Sequence, residues 1–238
     1  MVRTILTCVL SAALGIPVLA QNYEDLSKKC YESGNPDQAI EACSAVIKAG
    51  LVDRNDLAAA FKSRANAYDD KGQYDRAIED YDRAIAINPN DAAAFNDRGT
   101  SYRAMGQYDR AIQDYDQAIR LMPNSAMALN NRCFAKALAD QPEQGLADCN
   151  ESLRLRPGNA STLASRGFAN LRLKNYEAAI ADYDAALRIS PGNPYALFGR
   201  GTARRLRGNL SGGDADIAAA KAIKADIADE MAKLGVAP

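Results

Sequence analysis

Gly72-Gln73-Tyr74-Asp75-Arg76-Ala77-Ile78 recurs 34 residues further on as Gly106-Gln107-Tyr108-Asp109-Arg110-Ala111-Ile112. The same step carries proline through Pro89, Pro123, Pro157 and Pro191. It carries arginine through Arg64, Arg98, Arg132, Arg166 and Arg200, and aspartate through Asp80, Asp114, Asp148, Asp182 and Asp216. A fixed period of this length denotes a stacked array in which each unit buries its apolar side against its neighbours. Within a unit the residues read as helix, tight turn, helix, stop. The glycine before the second helix supports the turn, and the proline stops that helix. Asp91, Ser125, Asn159 and Asn193 follow the prolines as N-caps of the next helix.

Composition narrows the function classes. Of 238 residues, 47% are hydrophobic, enough for a substantial core, and the formal net charge is −1. That balance argues against a general nucleic-acid binder, which carries a basic excess. The chain has no histidine. This removes the commonest general base and metal ligand, and every Ser-His or Cys-His catalytic arrangement. No phosphate-binding loop or metal-ligand cluster stands out, so neither a catalytic residue nor a cofactor or metal is expected.

The first twenty residues read as a secretory signal peptide. Met1-Val2-Arg3 gives a positive start, Ile5 to Leu19 is apolar or small throughout, and Val18 and Ala20 occupy the −3 and −1 positions of a cleavage site before Gln21. An uncleaved anchor is the alternative, although the run is short for a span of ~20 residues. Cleavage leaves no stable membrane span and removes Cys8. Cys30, Cys43, Cys133 and Cys149 then remain, and four cysteines in an oxidising compartment suggest two disulfides.

Units beginning at Ala58, Ala92, Ala126, Ala160 and Pro194 place small residues at Ala65, Ala77 and Ala84 in the first and Gly99, Ala111 and Ala118 in the second. Tyr68 and Tyr81, then Tyr102 and Tyr115, fall between them. At this point the chain resembles the tetratricopeptide-repeat family. That family favours small residues at unit positions 8, 20 and 27, aromatics at 11 and 24, and proline at 32. The units from Ala58 and Ala92 match all six positions, and the unit from Ala160 matches with Asn170 in place of the aromatic at 11.

The resemblance implies an all-α fold, a right-handed α-solenoid of about six helix-turn-helix repeats with a C-terminal capping helix. Its segments are 1–20 as signal peptide, 21–57 as a divergent first repeat with an inserted loop over Gly50 to Asn55, then repeats at 58–91, 92–125, 126–159 and 160–193. The unit at 126–159 is degenerate, with Lys136 and Gly145 where Tyr and Ala stand elsewhere. The last segment, 194–238, has Ala225 where proline would stand. One helix is therefore expected from about Asp214 to Leu234, with Ile217, Ala220, Ile223, Ile227, Met231 and Leu234 as a single apolar stripe ending at Gly235.

In repeat coordinates each cysteine has a partner on the facing helix of its own unit. The expected bonds are Cys30–Cys43 and Cys133–Cys149, with free buried thiols as the other reading. Arginine at unit position 7 and aspartate at 23 suggest a row of ion pairs between neighbouring helices, with solvated charges as the alternative.

By resemblance, unit positions 2, 5, 9, 12 and 13 line a concave groove. Here these include Lys62, Asn66, Asn96, Thr100, Arg103, Asn130, Phe134, Phe168, Leu171, Arg172, Tyr195, Phe198 and Arg205. Such a groove passes from polar to aromatic and basic, and suits an extended peptide or helix with apolar anchors and some acidic character. One family subtype clamps a C-terminal carboxylate. Lys62 and Asn66 match its first part, but Asp97, Met127 and Asn131 depart from the rest. The expected function is a non-catalytic scaffold or adaptor of the bacterial cell envelope, periplasmic or secreted, with a protein or peptide partner. The alternative is a self-assembling, homo-oligomeric structural protein, and a redox carrier ranks below both because neither cysteine pair forms Cys-x-x-Cys.

Overall fold

A computed structural model describes residues 16–50 and 52–236, with side chains from Glu24 onward. The expected signal segment falls outside the described residues, except that the backbone of 16–20 begins the first helix. Among the described residues there are thirteen helices and no strand. The chain divides into two compact units, one ending at Ser101 and the other beginning at Tyr102.

The first unit holds α1 (Ile16–Glu32), α2 (Pro36–Ala49), α3 (Arg54–Asp70), α4 (Tyr74–Ile87) and most of α5 (Ala92–Ala104). α1 packs on α2, α2 on α3 and α3 on α4. The expected insertion before Ala58 is only partly a loop. Asp53 accepts from the backbone N–H groups of Asn55 and Asp56 and so starts α3 at Arg54, one turn before the repeat would begin. Gly50 closes α2 in the left-handed region, at φ 62°.

The second unit holds α6 (Tyr108–Leu121), α7 (Ala126–Leu138), α8 (Pro142–Leu155), α9 (Ala160–Arg172), α10 (Tyr176–Ile189), α11 (Pro194–Leu206), α12 (Leu210–Ile223) and α13 (Ile227–Lys233). Through α12, each helix packs on the next. α7 also packs on α9, and α9 on α11, whereas no second helix of a pair packs on the next second helix among the described residues. First helices therefore line the inner side of this stack. Asn159 caps α9 and Asn193 caps α11 through backbone N–H groups of the following turn. The second helices end at Leu155 and Ile189, two residues before Pro157 and Pro191, because the residue before proline is driven out of the helical region.

The small residues act at the helix crossings. Unit positions 8 and 20 face one another, and small residues there let the two helices approach. Where position 8 is Cys133, position 20 is Gly145, and a Cβ on that glycine would lie 2.7 Å from the Cys133 carbonyl oxygen. Gly145 of the unit at 126–159 is thus matched to its cysteine. The last pair goes further, with Gly201 against Gly213, where a Cβ on either would lie within 2.8 Å of the other's carbonyl. Tyr81, Tyr115 and Tyr183 fill the space beside these crossings and are wholly buried.

Both cysteine pairs join the helices of one hairpin. Cys30–Cys43 spans α1 and α2 with Cα atoms 4.6 Å apart, and Cys133–Cys149 spans α7 and α8 at 5.5 Å.

The C-terminus departs from expectation. The single helix over 214–234 is two helices, with Lys224 extended at φ −140°, ψ 104° between them. No breaker residue makes this turn. A straight helix would carry Ile227 and Met231 out past the end of the stack. The turn instead brings them onto α11, where they are 0% and 2% exposed. Ile223, assigned to the same stripe, is 53% exposed. Burying two large side chains at ~1.5–3 kcal/mol each outweighs the lost helical hydrogen bonds. α13 closes at Gly235 in the left-handed region, φ 77°, as expected.

Candidate functional site

In the first unit the expected groove residues Lys62 and Asn66 lie on α3, and Asn96 and Thr100 on α5. Lys62 Nζ sits 2.7 Å from Asp91, the N-cap of α5. Burial opposes ionisation of Asp91, but Lys62 and the Ala93 and Ala94 N–H groups together hold its carboxyl below the ordinary range. The lysine that the carboxylate-clamp comparison drew on is therefore engaged. Asn66 accepts from the Tyr81 hydroxyl at 2.6 Å, Thr100 donates to the Asn96 carbonyl, and Asn96 is itself buried.

Two carboxylates dominate this face, Asp69, which the resemblance places in the groove beside Asp70, and Asp97, the departure from the clamp pattern. Asp69 accepts from the Ser101 hydroxyl at 2.8 Å and from Tyr81 at 3.0 Å. Asp97 accepts from the Asn96 side-chain amide at 3.1 Å. Burial pushes both carboxyl groups up, more than these donors pull them down. Asp69 is at unit position 12, a groove position, so its period was legible, whereas its burial was not.

The sign of the pH effect follows. An acid with a raised folded pKa binds more protons folded than unfolded, so stability falls as pH rises from its unfolded value through its folded one. Asp97→Asn should therefore raise the unfolding free energy at pH 7 by up to about 1 kcal/mol. The gain should vanish below about pH 3.5, where the unfolded carboxyl is also protonated. Urea unfolding of both proteins at the two pH values checks this, and an equal gain at both would refute the assignment.

In the second unit the expected groove residues divide into two groups. Arg103, Asn130 and Phe134 remain partly accessible on α5 and α7. The Arg103 guanidinium stands 5.5 Å from the Phe134 ring centre, and Phe134 packs on Phe168 at 5.1 Å. Met127, two turns before Phe134 on α7, is 53% exposed.

The other group is covered or engaged by the chain itself. Phe168, Leu171 and Phe198 are buried in one cluster with Ile227, Met231 and Val236. Arg172 pairs with Asp140 and donates to the Leu234 carbonyl at 3.3 Å. The Tyr195 hydroxyl donates to Glu230 at 2.6 Å, and with Lys224 it holds that carboxyl below its ordinary range. Arg205 pairs with Asp214. The aromatic end expected to lie open is thus occupied by α13 and the residues after it, and Arg205 is engaged by α12.

The arginine–aspartate row is a set of two-sided contacts. Arg132 bonds to Asp148 of its own repeat and, at 2.8 Å, to Asp116 of the preceding one. Arg200 likewise bonds to Asp216 and Asp184, and Arg166 to Asp182 and Asn150. The second partner also recurs every 34 residues, but lies in the preceding repeat, outside the within-unit pairing expected from sequence. Lys136, Asn170 and Arg204, which stand where other units have tyrosine, donate to the same aspartates, Asp148, Asp182 and Asp216. Where tyrosine is kept, Arg76 covers Tyr68 and Arg110 covers Tyr102.

Sequence models described as tetratricopeptide repeat match residues 58–91, 92–125 and 160–193. No curated protein matches the chain. Among solved structures, a tetratricopeptide repeat protein from Parabacteroides merdae is 17% identical over 90% of this chain and 89% of its own, with a TM-score of 0.71. PilW, described as a widely conserved type IV pilus biogenesis factor, is 19% identical over 70% of this chain and 77% of its own, with a TM-score of 0.65. YrrB, described as a TPR protein with an unusual peptide-binding site, is 19% identical over 79% of this chain and 94% of its own, with a TM-score of 0.57. These likenesses concern the fold. The 34-residue period, the matched segments and the stacked helix pairs show that the chain belongs to the tetratricopeptide-repeat family.

Proposed function

We propose that this protein is an exported, non-catalytic interaction scaffold that holds a peptide or helix against the inner faces of its first helices. The observation that carries the reading is the uncovered stretch of α7. Met127 is 53% exposed, and Phe134, two turns further along the same helix, carries the Arg103 guanidinium. Aromatic, methionine and arginine side chains on a concave face are the composition of binding hot spots. The absence of histidine supports a role without general acid–base chemistry. In the first unit, Asp69, Asp70 and Asp97 favour a partner segment that brings basic or donor groups.

Export is supported by the N-terminal sequence pattern and by two disulfides, which persist in oxidising compartments. Among the described residues no helix is long and apolar enough to cross a membrane. The apolar stripe of the last segment, a candidate surface for self-assembly, is largely spent inside the chain, since Ile217, Ala220, Ile227 and Met231 are buried.

Selection of displayed random peptides on the immobilised protein tests the site. Selected peptides should bind Met127→Glu and Phe134→Ala variants at least about tenfold more weakly. Peptides indifferent to both substitutions would sink the assignment.

A further inference from the structure

We infer that Ile227–Val236 is a displaceable occupant of a partner site, and that the inner face of α9 and α11 takes an amphipathic helix from a partner protein. The partner helix would carry aliphatic side chains four residues apart and a carboxylate between them. This rests on reading the inner face as the interaction surface.

The placement of the segment carries the argument. A helix that merely capped the stack would take the position of a next first helix and pack chiefly on α12, as α9 does on α8 and α11 on α10. α13 packs mainly on α11 instead. Its middle is tied to the first turn of α11 by Tyr195 and Glu230, and its end to the last residue of α9 by Arg172 and the Leu234 carbonyl. The following Gly235 lies against Arg172, whose guanidinium is 2.8 Å from where a Cβ would stand. Ile227 and Met231 reach the cluster that contains Phe168 and Phe198. The segment thus runs across the first helices, where the family resemblance puts ligand-facing positions.

Its hold is weak by construction. α13 has seven residues and no side-chain N-cap. Helices shorter than ~12 residues are marginal on their own. The ion pair at its rim, Lys224–Glu230, is solvent-accessible. The fit is also incomplete. Thr202 is 2% exposed, lies in the same register of α11 as Phe168 of α9, and its hydroxyl has no hydrogen-bond partner. A ligand that supplied one would gain over the resident segment.

The test uses the full chain and a fluorescent peptide of residues 224–236 as the probe. Asp229→Gly with Ala232→Gly weakens α13 through its exposed side and leaves Ile227 and Met231 in place. The doubly substituted chain should bind the peptide about five- to tenfold more tightly than the unsubstituted chain. A peptide with aspartate in place of its isoleucine and methionine should not bind. Hydrogen exchange on the same samples should show α13 opening while α9 and α11 stay protected. No peptide binding despite an open α13 overturns the inference. A doubled mass from exchanged C-termini also overturns it, because the occupant is then a second copy. If display-selected peptides still depend on Phe134 in either case, the wider reading stands, and losing both responses removes both.

Discussion

Arg64→Leu should lower the unfolding free energy by about 3 kcal/mol, and Arg64→Leu combined with Asp80→Leu should cost less than the single change. The Arg64 guanidinium grips Asp80 with two bonds, Nε to Oδ2 at 2.7 Å and Nη2 to Oδ1 at 2.8 Å. Its third edge reaches the Ser44 hydroxyl on α2 at 2.9 Å. The Asp80 side chain is 8% exposed. Removing the arginine leaves this carboxylate inside the stack with its charge uncompensated, whereas removing both leaves two leucines between α3 and α4. Asp80 stabilises the charged guanidinium in turn, raising its pKa chiefly through their shared hydrogen bonds. Urea unfolding of both singles and the double completes the cycle. Strictly additive losses would mean that the two side chains do not act as a pair.

The ladder also shows what a sequence reader can and cannot see. Arg64 and Asp80 were legible as partners because their phase never slips, and helix starts at Ala92, Ala126, Ala160 and Pro194 were legible because caps and prolines act within a few residues. Asp116 and Asp184 obey the same 34-residue step, yet their role depends on contact between successive repeats. The break at Lys224 was not legible at all. Nothing local stops the helix there, and the decision is made by Ile227 and Met231 finding α11. The groove follows the same rule. Its register was visible in the repeat, but Phe168, Leu171 and Phe198 were assigned to a ligand because nothing in the period shows that the chain's own end covers them.

Replacing Cys133 and Cys149 together by alanine should lower the unfolding free energy by about 3 kcal/mol. The bond closes a ring over a sequence separation of 16 residues and so limits the unfolded chain. It also sits beside a close approach of α7 and α8, since Gly145 has no side chain to hold the Cys133 backbone away. Both cysteines are 0% exposed, so a reductant should act only through unfolding. The reduced wild type should therefore match the double alanine variant once it has been unfolded and refolded under thiol, apart from the small packing term of two sulfur atoms. Alanine is the right replacement, because serine would bury two hydroxyl groups. If peptide mapping of the non-reduced protein found free thiols at these positions, the ring term would disappear, and the double variant would lose only that packing. The size of the loss thus separates a bonded pair from two buried thiols, the alternative left open by sequence.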